Sequence, residues 1–261
     1  MVYYKKIKRI LSLAGLCMLL TVCTGCAATG GTESGIGAGA LMQIPSGTVL
    51  EKSSSHKIAI DAGHQAKGNS EKEPIGPGAE ETKAKVAGGT KGVSTGTYEY
   101  ELTLAVSEKL RDELENRGYE VYMVRESHDV DISNAERADM AYDSGAEIFI
   151  RIHANGSGSS SANGAMTICP TPDNPYIPSL YADSRRLSDE VLDGLVSAAG
   201  CKKERVWETD TMSGINWSRI PVTIVEMGYM TNPEEDEKMA DDAYRQQIAA
   251  GIADGIDRYF P

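Results

Sequence analysis

Two of the four histidines of the chain stand at the ends of apolar, strand-like stretches. His64 follows "KIAIDAG", and His153 ends "AEIFIRIH". Two glutamates hold comparable places: Glu99 precedes a long amphipathic stretch, and Glu226 continues an apolar row within "PVTIVEMGY". Two neutral imidazoles and one carboxylate make a common catalytic zinc set, and a further carboxylate can accept the proton of an attacking water. One cation would account for all four positions.

Each of these residues also has a purely structural interpretation. Taken alone, His64 is more typical of a turn histidine bonded to the backbone, and Glu99 of a first-turn glutamate that favours the helix dipole. Glu226 is harder to explain in this way, because a carboxylate in a buried strand is costly unless it is paired or near a cation. The four residues are separated by 35, 54 and 73 positions, so only the tertiary structure can bring them together.

The elements that must position these residues alternate along the chain. The apolar patterns predict strands over 57–63, 119–126, 146–153, 164–170 and 220–229. They predict helices over 100–118, 132–145, 179–200 and 241–260. This order predicts an α/β fold with a single domain, in which a central, mostly parallel twisted sheet carries helices on both faces. Ligands of such sheets bind beyond the C-terminal strand ends, where His64 and His153 are expected.

Residues 66–95 are rich in Gly, Lys and Glu. This composition predicts a long loop without regular structure, and a loop of such length in a compact domain is usually functional or mobile. We therefore expect it to act as a lid over the site.

The N-terminus has the layout of an export signal. A basic stub, "MVYYKKIKR", precedes thirteen uncharged residues, "ILSLAGLCMLLTV", and a membrane-spanning helix needs about 20. A buried N-terminal helix is the less favoured alternative. "VCTGC" resembles a lipobox, which predicts a signal peptide of lipoprotein type over 1–25 and a lipid on Cys26. Cleavage near "GCAAT" would instead give a freely secreted protein. Residues 26–55 are predicted to be a flexible tether, and 56–261 the folded domain.

Charge and cysteine content exclude several classes of protein. Residues 1–25 hold four of the 26 basic residues and none of the 38 acidic ones, so the rest of the chain carries a net charge of −16. Such a chain is not expected to bind nucleic acid, or anionic lipid by charge alone. Beyond the leader and its anchor only Cys169 and Cys201 remain, without a CxxC motif, which argues against a thiolate zinc site. A disulfide between these two cysteines and two free thiols both fit the sequence.

Five segments resemble, in order, those of zinc-dependent N-acetylmuramoyl-L-alanine amidases: "IAIDAGH", "EYELTLAVSEKL", "ISNAERADMA", "IFIRIHANG" and "IPVTIVEMGYMTNPEED". The resemblance covers about residues 57–261. It implies that His64, Glu99 and His153 bind one zinc ion and that Glu226 is the catalytic carboxylate.

The choice of Glu99 over Glu101 also rests on the resemblance. Glu99 stands four residues before Thr103, which is the register of the family's glutamate. Thr103 departs from the family pattern, since asparagine is common at that position.

The implied activity is hydrolysis of peptidoglycan at the amide between the lactyl group of N-acetylmuramic acid and L-alanine of the stem peptide. Asn216 and Trp217, in "WETDTMSGINWSRIP", are candidates for substrate binding; the alternative is a covering loop with packing tryptophans. The expected partners are peptidoglycan and, through a lipid on Cys26, the membrane, so the protein is expected to be exported to the cell surface. The sequence does not identify a protein activator.

Two other functions use similar residues. A non-catalytic peptidoglycan-binding or regulatory module would keep the metal without turnover, although a pure binder has no need for a buried base such as Glu226. A zinc carboxypeptidase would attack the C-terminus of the stem peptide and would need an arginine for its carboxylate, for which Arg151 and Arg219 are candidates.

Overall fold

The computed structural model describes residues 56–260. The predicted signal peptide, the tether and Cys26 lie outside the described residues. The strands within this range are β1 (Lys57–Ala62), β2 (Asn69–Pro74), β3 (Thr82–Val86), β4 (Glu120–Met123), β5 (Ile148–Asn155), β6 (Ala165–Cys169), β7 (Lys203–Glu208) and β8 (Val222–Tyr229). The helices are α1 (Glu99–Asn116), α2 (Asn134–Asp143), α3 (Tyr181–Ala199), α4 (Ser213–Asn216), α5 (Pro233–Ala240) and α6 (Asp242–Tyr259), with a 3₁₀ turn at Pro178–Leu180.

Six strands form one twisted sheet in the order β4-β1-β5-β8-β6-β7. Strands β4, β1, β5 and β8 are mutually parallel, whereas β6 runs antiparallel to β8 and pairs in parallel with β7. The predicted α/β fold with a mostly parallel sheet is therefore confirmed. The parallel order also brings the C-terminal ends of β1, β5 and β8 next to one another.

The central strand β5 shows why both faces of the sheet are covered. Ile148, Ile150 and Ile152 are fully buried and belong to the core beneath α1, α3 and α6. Phe149, on the opposite face, is also fully buried and packs in a second core together with residues of α2 and α4. Successive side chains of a strand point to opposite faces, so a strand that is apolar throughout must be covered on both sides.

The prediction of a structureless loop over 66–95 is wrong, because this segment contains an antiparallel hairpin. Strands β2 and β3 pair from Asn69 opposite Val86 to Pro74 opposite Thr82. Their sequences, "NSEKEP" and "TKAKV", carry few apolar residues, so they lack the alternation that reveals a half-buried strand. The backbone pairing is instead supported at the surface by an ion pair between Lys85 and Glu71, 2.8 Å apart.

The start of α2 and the two cysteines of the domain bear on expectations from the sequence. Ser133 and Glu136 form the predicted capping box of α2, with Glu136 N donating to Ser133 Oγ at 3.2 Å and Ser133 N to Glu136 Oε2 at 2.7 Å. Cys169 and Cys201 are both free thiols. Among the helices of residues 56–260, none is long and apolar enough to cross a membrane.

Candidate active site

The turn after β1 presents His64 at the C-terminal edge of the sheet. His64 has a φ of 62°, a left-handed conformation that is uncommon for a residue with a side chain and often marks a functional site. Its Nδ1 donates to the carbonyl oxygen of Ala87 at 2.9 Å. Because a carbonyl can only accept, the proton of the neutral ring lies on Nδ1, and Nε2 is left with a free electron pair.

Glu99 is the first residue of α1, and the backbone holds its carboxylate in place. Oε2 accepts a hydrogen bond from Thr90 N at 2.7 Å, and Oε1 accepts one from Ala154 N at 3.1 Å. Both donors are uncharged, so they orient the carboxylate without neutralising it. The position at a helix N-terminus favours the negative charge further.

His64, Glu99 and His153 meet in one cluster. His64 Nε2 lies 3.0 Å from Glu99 Oε1, His153 Nδ1 lies 3.2 Å from Glu99 Oε1, and the two ring nitrogens are 3.2 Å apart. Candidate ligand atoms of the three residues all lie within 4.8 Å of one another. Ligand atoms at about 2.0–2.1 Å from a tetrahedral zinc ion are about 3.3 Å from each other. The observed separations therefore fit such an ion.

The buried environment changes the pKa of each member of the cluster. Burial lowers the pKa of His153 despite the hydrogen bond to Glu99, which favours the neutral imidazole that binds metals. Burial opposes ionisation of Glu99, but the two histidines hold its pKa below the ordinary value. Burial also opposes protonation of His64, but the carboxylate of Glu99 can accept a hydrogen bond from Nε2 of the protonated ring, and this raises the pKa of His64 overall. The cluster thus combines an ionised carboxylate with two imidazole rings, both of which lie next to Glu99 Oε1.

Glu226 lies opposite His153 in the pairing of β8 with β5, and opposite Met166 in the pairing of β8 with β6. The residue as a whole is partly exposed, but its Oε2 atom is buried and has no hydrogen-bond partner among the described residues. Burial, together with the charge of Glu99, raises the pKa of Glu226 to about 8. Such a carboxylate is costly to keep ionised without a cation or a donor nearby.

Gly63 allows the ring of His153 to approach the backbone of the β1 turn. An ideal Cβ on Gly63 would lie 2.3 Å from His153 Cε1 and 2.5 Å from Nε2. Any other residue at this position would displace the ring. The glycine of "DAGH" is therefore required by the close approach of the two strand ends.

Sequence reasoning missed Arg125, whose guanidinium group binds two backbone carbonyls of the same turn. Its Nε donates to Ala62 O at 2.7 Å and its Nη2 to Gly63 O at 3.1 Å. The hydroxyl of Thr103 also donates to Gly63 O, at 2.8 Å. The available signal was an arginine directly after the apolar stretch "YMV" at the end of β4 and just beyond it. Threonine at position 103 still supplies a donor to the turn.

A second missed feature is an ion-pair network beneath the site. Asp61, fully buried in β1, accepts from Arg137 Nη1 at 2.6 Å and from Arg151 Nε at 3.0 Å. Arg137 Nη2 also donates to His64 O at 3.2 Å, which links the network to the strained turn. Burial alone would raise the pKa of Asp61, but the two arginines lower it to about 2.

Asp61→Asn is expected to lower the free energy of unfolding at pH 7 by about 3–5 kcal/mol, because it leaves two buried guanidinium groups without their shared anion. The folded-state pKa of about 2 lies below the ordinary 3.8. The stabilisation by the carboxylate is therefore complete above about pH 5 and is lost as the pH falls from about 4 to about 2. Urea unfolding at pH 7 and at pH 2.5 measures both effects. If the wild type and the variant differ in free energy of unfolding by the same amount at pH 7 and at pH 2.5, this account is wrong.

The matched control for that measurement is Asp254→Asn. Asp254 is half-exposed and pairs with Arg117 at 2.8 Å. Removal of such a surface pair is expected to cost less than about 1 kcal/mol at either pH.

Asn216 and Trp217, the candidates for substrate binding, lie at α4, and the structure engages both in contacts within the protein. Asn216 is fully buried, and its Nδ2 donates to Asp210 O at 2.8 Å while its Oδ1 accepts from Asn174 Nδ2 at 3.0 Å. Trp217 Nε1 donates to Pro74 O at 2.8 Å, at the end of β2. These contacts join α4 to the hairpin, and the two residues do not belong to the cluster of His64, Glu99 and His153.

A His-Glu-His cluster beside an unpaired carboxylate, at the C-terminal ends of parallel strands, is typical of metal-dependent hydrolases. The family model described as N-acetylmuramoyl-L-alanine amidase matches residues 58–258. The chain belongs to this family, as its sequence motifs predict.

The chain is also similar to individual proteins and to solved structures. The chain is 31% identical to the uncharacterized protein YqiI of Bacillus subtilis (strain 168) over 223 residues, which are 85% of this chain and 93% of YqiI. It is 29% identical to the N-acetylmuramoyl-L-alanine amidase LytC of the same organism over 170 residues, which are 64% of this chain but only 32% of LytC. The crystal structure of the amidase Ami1 from Mycobacterium smegmatis has the same fold, with a TM-score of 0.71 and 23% identity, and covers 79% of this chain and 97% of Ami1.

Proposed function

We propose that the protein is a zinc-dependent hydrolase that cleaves the amide between the lactyl group of N-acetylmuramic acid and L-alanine of the stem peptide. One observation carries the proposal. In a chain of the amidase family, His64 Nε2, His153 Nδ1 and Glu99 Oε1 lie 3.0–3.2 Å apart. A carboxylate oxygen with no hydrogen-bond partner within residues 56–260 lies on β8, next to the strand that carries His153. That carboxylate, Glu226, is assigned as the general base.

The donor set supports zinc as the metal. Two imidazole nitrogens and one carboxylate oxygen leave a fourth tetrahedral position open for water or substrate, as in other catalytic zinc sites. Ala87 O and Thr90 N bind the outer atoms of His64 and Glu99. Such outer contacts orient metal ligands and keep them in the required protonation state.

The cavity at the cluster has room for a substrate. It has a volume of about 480 Å³, and the residues that line it include His64, Glu99, His153 and Glu226 together with residues 87–90 and 154–156. Bound zinc would polarise the scissile carbonyl and lower the pKa of a water molecule.

Glu226 then performs the proton transfers. In its ionised form the carboxylate accepts the proton of the attacking water, and it afterwards donates that proton to the departing nitrogen of L-alanine. A group with a raised pKa suits both steps, because it is a stronger base than an ordinary glutamate and still releases the proton. The Oε2 atom of Glu226 is available for this purpose, since no donor in the described part of the chain forms a hydrogen bond with it.

The cellular location follows from the same proposal. Peptidoglycan lies outside the cytoplasmic membrane, so the protein must be exported to meet it. Residues 1–25 would act as the signal peptide, Cys26 would carry the lipid, and residues 26–55 would tether the domain to the membrane.

Mass spectrometry of peptidoglycan fragments tests the proposal directly. Incubation with the protein should release intact stem peptides with a free N-terminal L-alanine. A zinc chelator should abolish the release, and added zinc should restore it. Products shortened at the C-terminal end of the peptide would indicate the carboxypeptidase instead. No products with zinc-loaded protein would leave the non-catalytic binding module.

A further inference from the structure

A second cavity, of about 380 Å³, adjoins the cavity that holds the cluster. The two cavities share His64 and His153 as well as residues 87, 212 and 224. The second cavity lies between the β2–β3 hairpin and the segment 211–214 that leads into α4. A substrate bound at the cluster could therefore extend into it without leaving the surface of the protein.

The charge of this cavity is opposite to that of the whole molecule. The chain has a formal net charge of −12, yet the described residues that line the cavity include Lys72, Lys83 and Arg151 and neither an aspartate nor a glutamate. Two acidic groups near Arg151, Asp61 and Glu73, are buried, and the carboxylate of Glu99 lies at the adjoining cavity, 3.0 Å from His64 Nε2. Asp61 is bound by two arginines, and Glu73 accepts from Ala135 N at 3.4 Å.

Arg151 is built into the wall of the cavity. It is 2% exposed, and its Nε and Nη2 are used by Asp61 and Asn134. The remaining nitrogen, Nη1, lies where a Cβ of Gly214 would be, at 1.4 Å from the ideal position. The glycine thus makes room for a guanidinium group at the wall, and one edge of that group has no protein partner among the described residues.

Lys83 closes the same cavity from the hairpin side. Its ammonium group donates to Thr211 O at 2.5 Å. An ammonium group has three donors, so two are left for a ligand. Arg151, held by Asp61 and Asn134, therefore offers a fixed cation to a bound anion, and Lys83 offers a second one on a flexible side chain.

The position of Arg151 indicates which part of a substrate would reach it. Arg151 and His153 are two residues apart on the same face of β5, which corresponds to about 7 Å along a strand. Two residues of an extended peptide also span about 7 Å. A carboxylate on the second residue of a stem peptide would consequently lie near Arg151 when the amide before the first residue lies at the cluster.

We propose that this cavity is a subsite for a free carboxylate on the second residue of the stem peptide, bound by Arg151 and Lys83. The inference rests on the proposed amidase function. The subsite makes the protein selective for stem peptides that carry a free carboxylate at the second residue, over stem peptides in which this carboxylate is amidated.

The test uses three N-acetylmuramoyl pentapeptides, with D-glutamate at the second residue, with D-isoglutamine there, and with D-glutamate there but an amidated C-terminus. Binding is measured by calorimetry to the zinc-loaded Glu226→Gln protein, and cleavage is measured with the wild type. The first and third peptides should bind equally, and the isoglutamine peptide about 10-fold more weakly or worse, as expected for loss of a charge-assisted hydrogen bond.

Lys83→Gln and Arg151→Lys should each reduce the preference for the peptide with D-glutamate. Because Arg151 is buried, its variant can fail to fold, and Lys83→Gln alone then tests the subsite. Lys85→Gln is the matched control, since it removes the same charge from the same strand but Lys85 does not line the cavity. It should leave the preference unchanged.

Each of the following results would overturn the subsite: equal binding of the acid and amide peptides, a preference that follows the C-terminus, or a preference that Lys83→Gln and Arg151→Lys leave intact. Undetectable binding of all three peptides would do the same. If the peptides bind with the expected preference but the wild type cleaves none at the lactyl amide, the proposed amidase function fails while the subsite stands.

Discussion

Glu226→Gln is expected to lower the rate of muropeptide cleavage by about 10²–10⁴-fold, the usual contribution of a general base. Glutamine has nearly the same shape but cannot accept the proton of the attacking water. Bound zinc should remain at one ion per chain, because Glu226 lies outside the cluster of His64, Glu99 and His153. Steady-state kinetics and metal analysis on the same preparation measure the two quantities.

The control for this experiment is Glu237→Gln, which removes an exposed carboxylate from α5. It should retain wild-type kinetics and zinc. A Glu226→Gln protein that remains fully active would refute the assignment of the base. One that loses zinc would instead place Glu226 among the ligands.

Glu99→Gln is expected to weaken zinc binding by more than about 100-fold, since even the loss of an outer-shell partner costs about 10–100-fold. The amide keeps the size of the side chain but removes the negative charge that balances the cation. Cleavage should fall in parallel and recover only at high zinc concentration. Competition with a chromophoric chelator gives the affinity.

Glu101→Gln separates the two glutamates at the start of α1. Glu101 Oε2 accepts a hydrogen bond from Tyr98 N at 2.9 Å, so its function is to cap the helix. The variant should keep its zinc and lose about 1 kcal/mol or less of stability. Loss of zinc in Glu101→Gln but not in Glu99→Gln would reverse the choice between them.

The long apolar elements could be predicted from the sequence because their periodicity reports burial directly. Strand β5 and helix α1 are examples, since alternate residues of β5 fill two cores and every fourth residue of α1, from Leu102 to Leu114, is buried. The β2–β3 hairpin escaped prediction for the opposite reason. Its stability comes from backbone pairing and from contacts such as Trp217 with Pro74, which join residues 143 positions apart. Edge strand β7 also lacks a buried apolar row, since its first three residues are exposed and its last three are half-buried.

The residue types of the site and their places at strand and helix ends were determined by the sequence alone. Histidines that close apolar strands and a carboxylate within an apolar row are local violations of the burial pattern, and such violations are visible without a structure. Their assignment to roles came from the family resemblance.

The contacts that support these residues, and the groups that surround them, arise from the folding of distant segments onto one another. Ala87 O and Thr90 N hold His64 and Glu99 through groups with no sequence signature, because backbone carbonyls and amides are present at every position. The acceptors of Arg125, the carbonyl oxygens of residues 62 and 63, are of the same kind. The cationic cavity exists because the hairpin, β5 and α4 converge around Arg151 and Lys83. Contacts between distant segments arise from packing, and packing depends on the whole chain rather than on any local pattern.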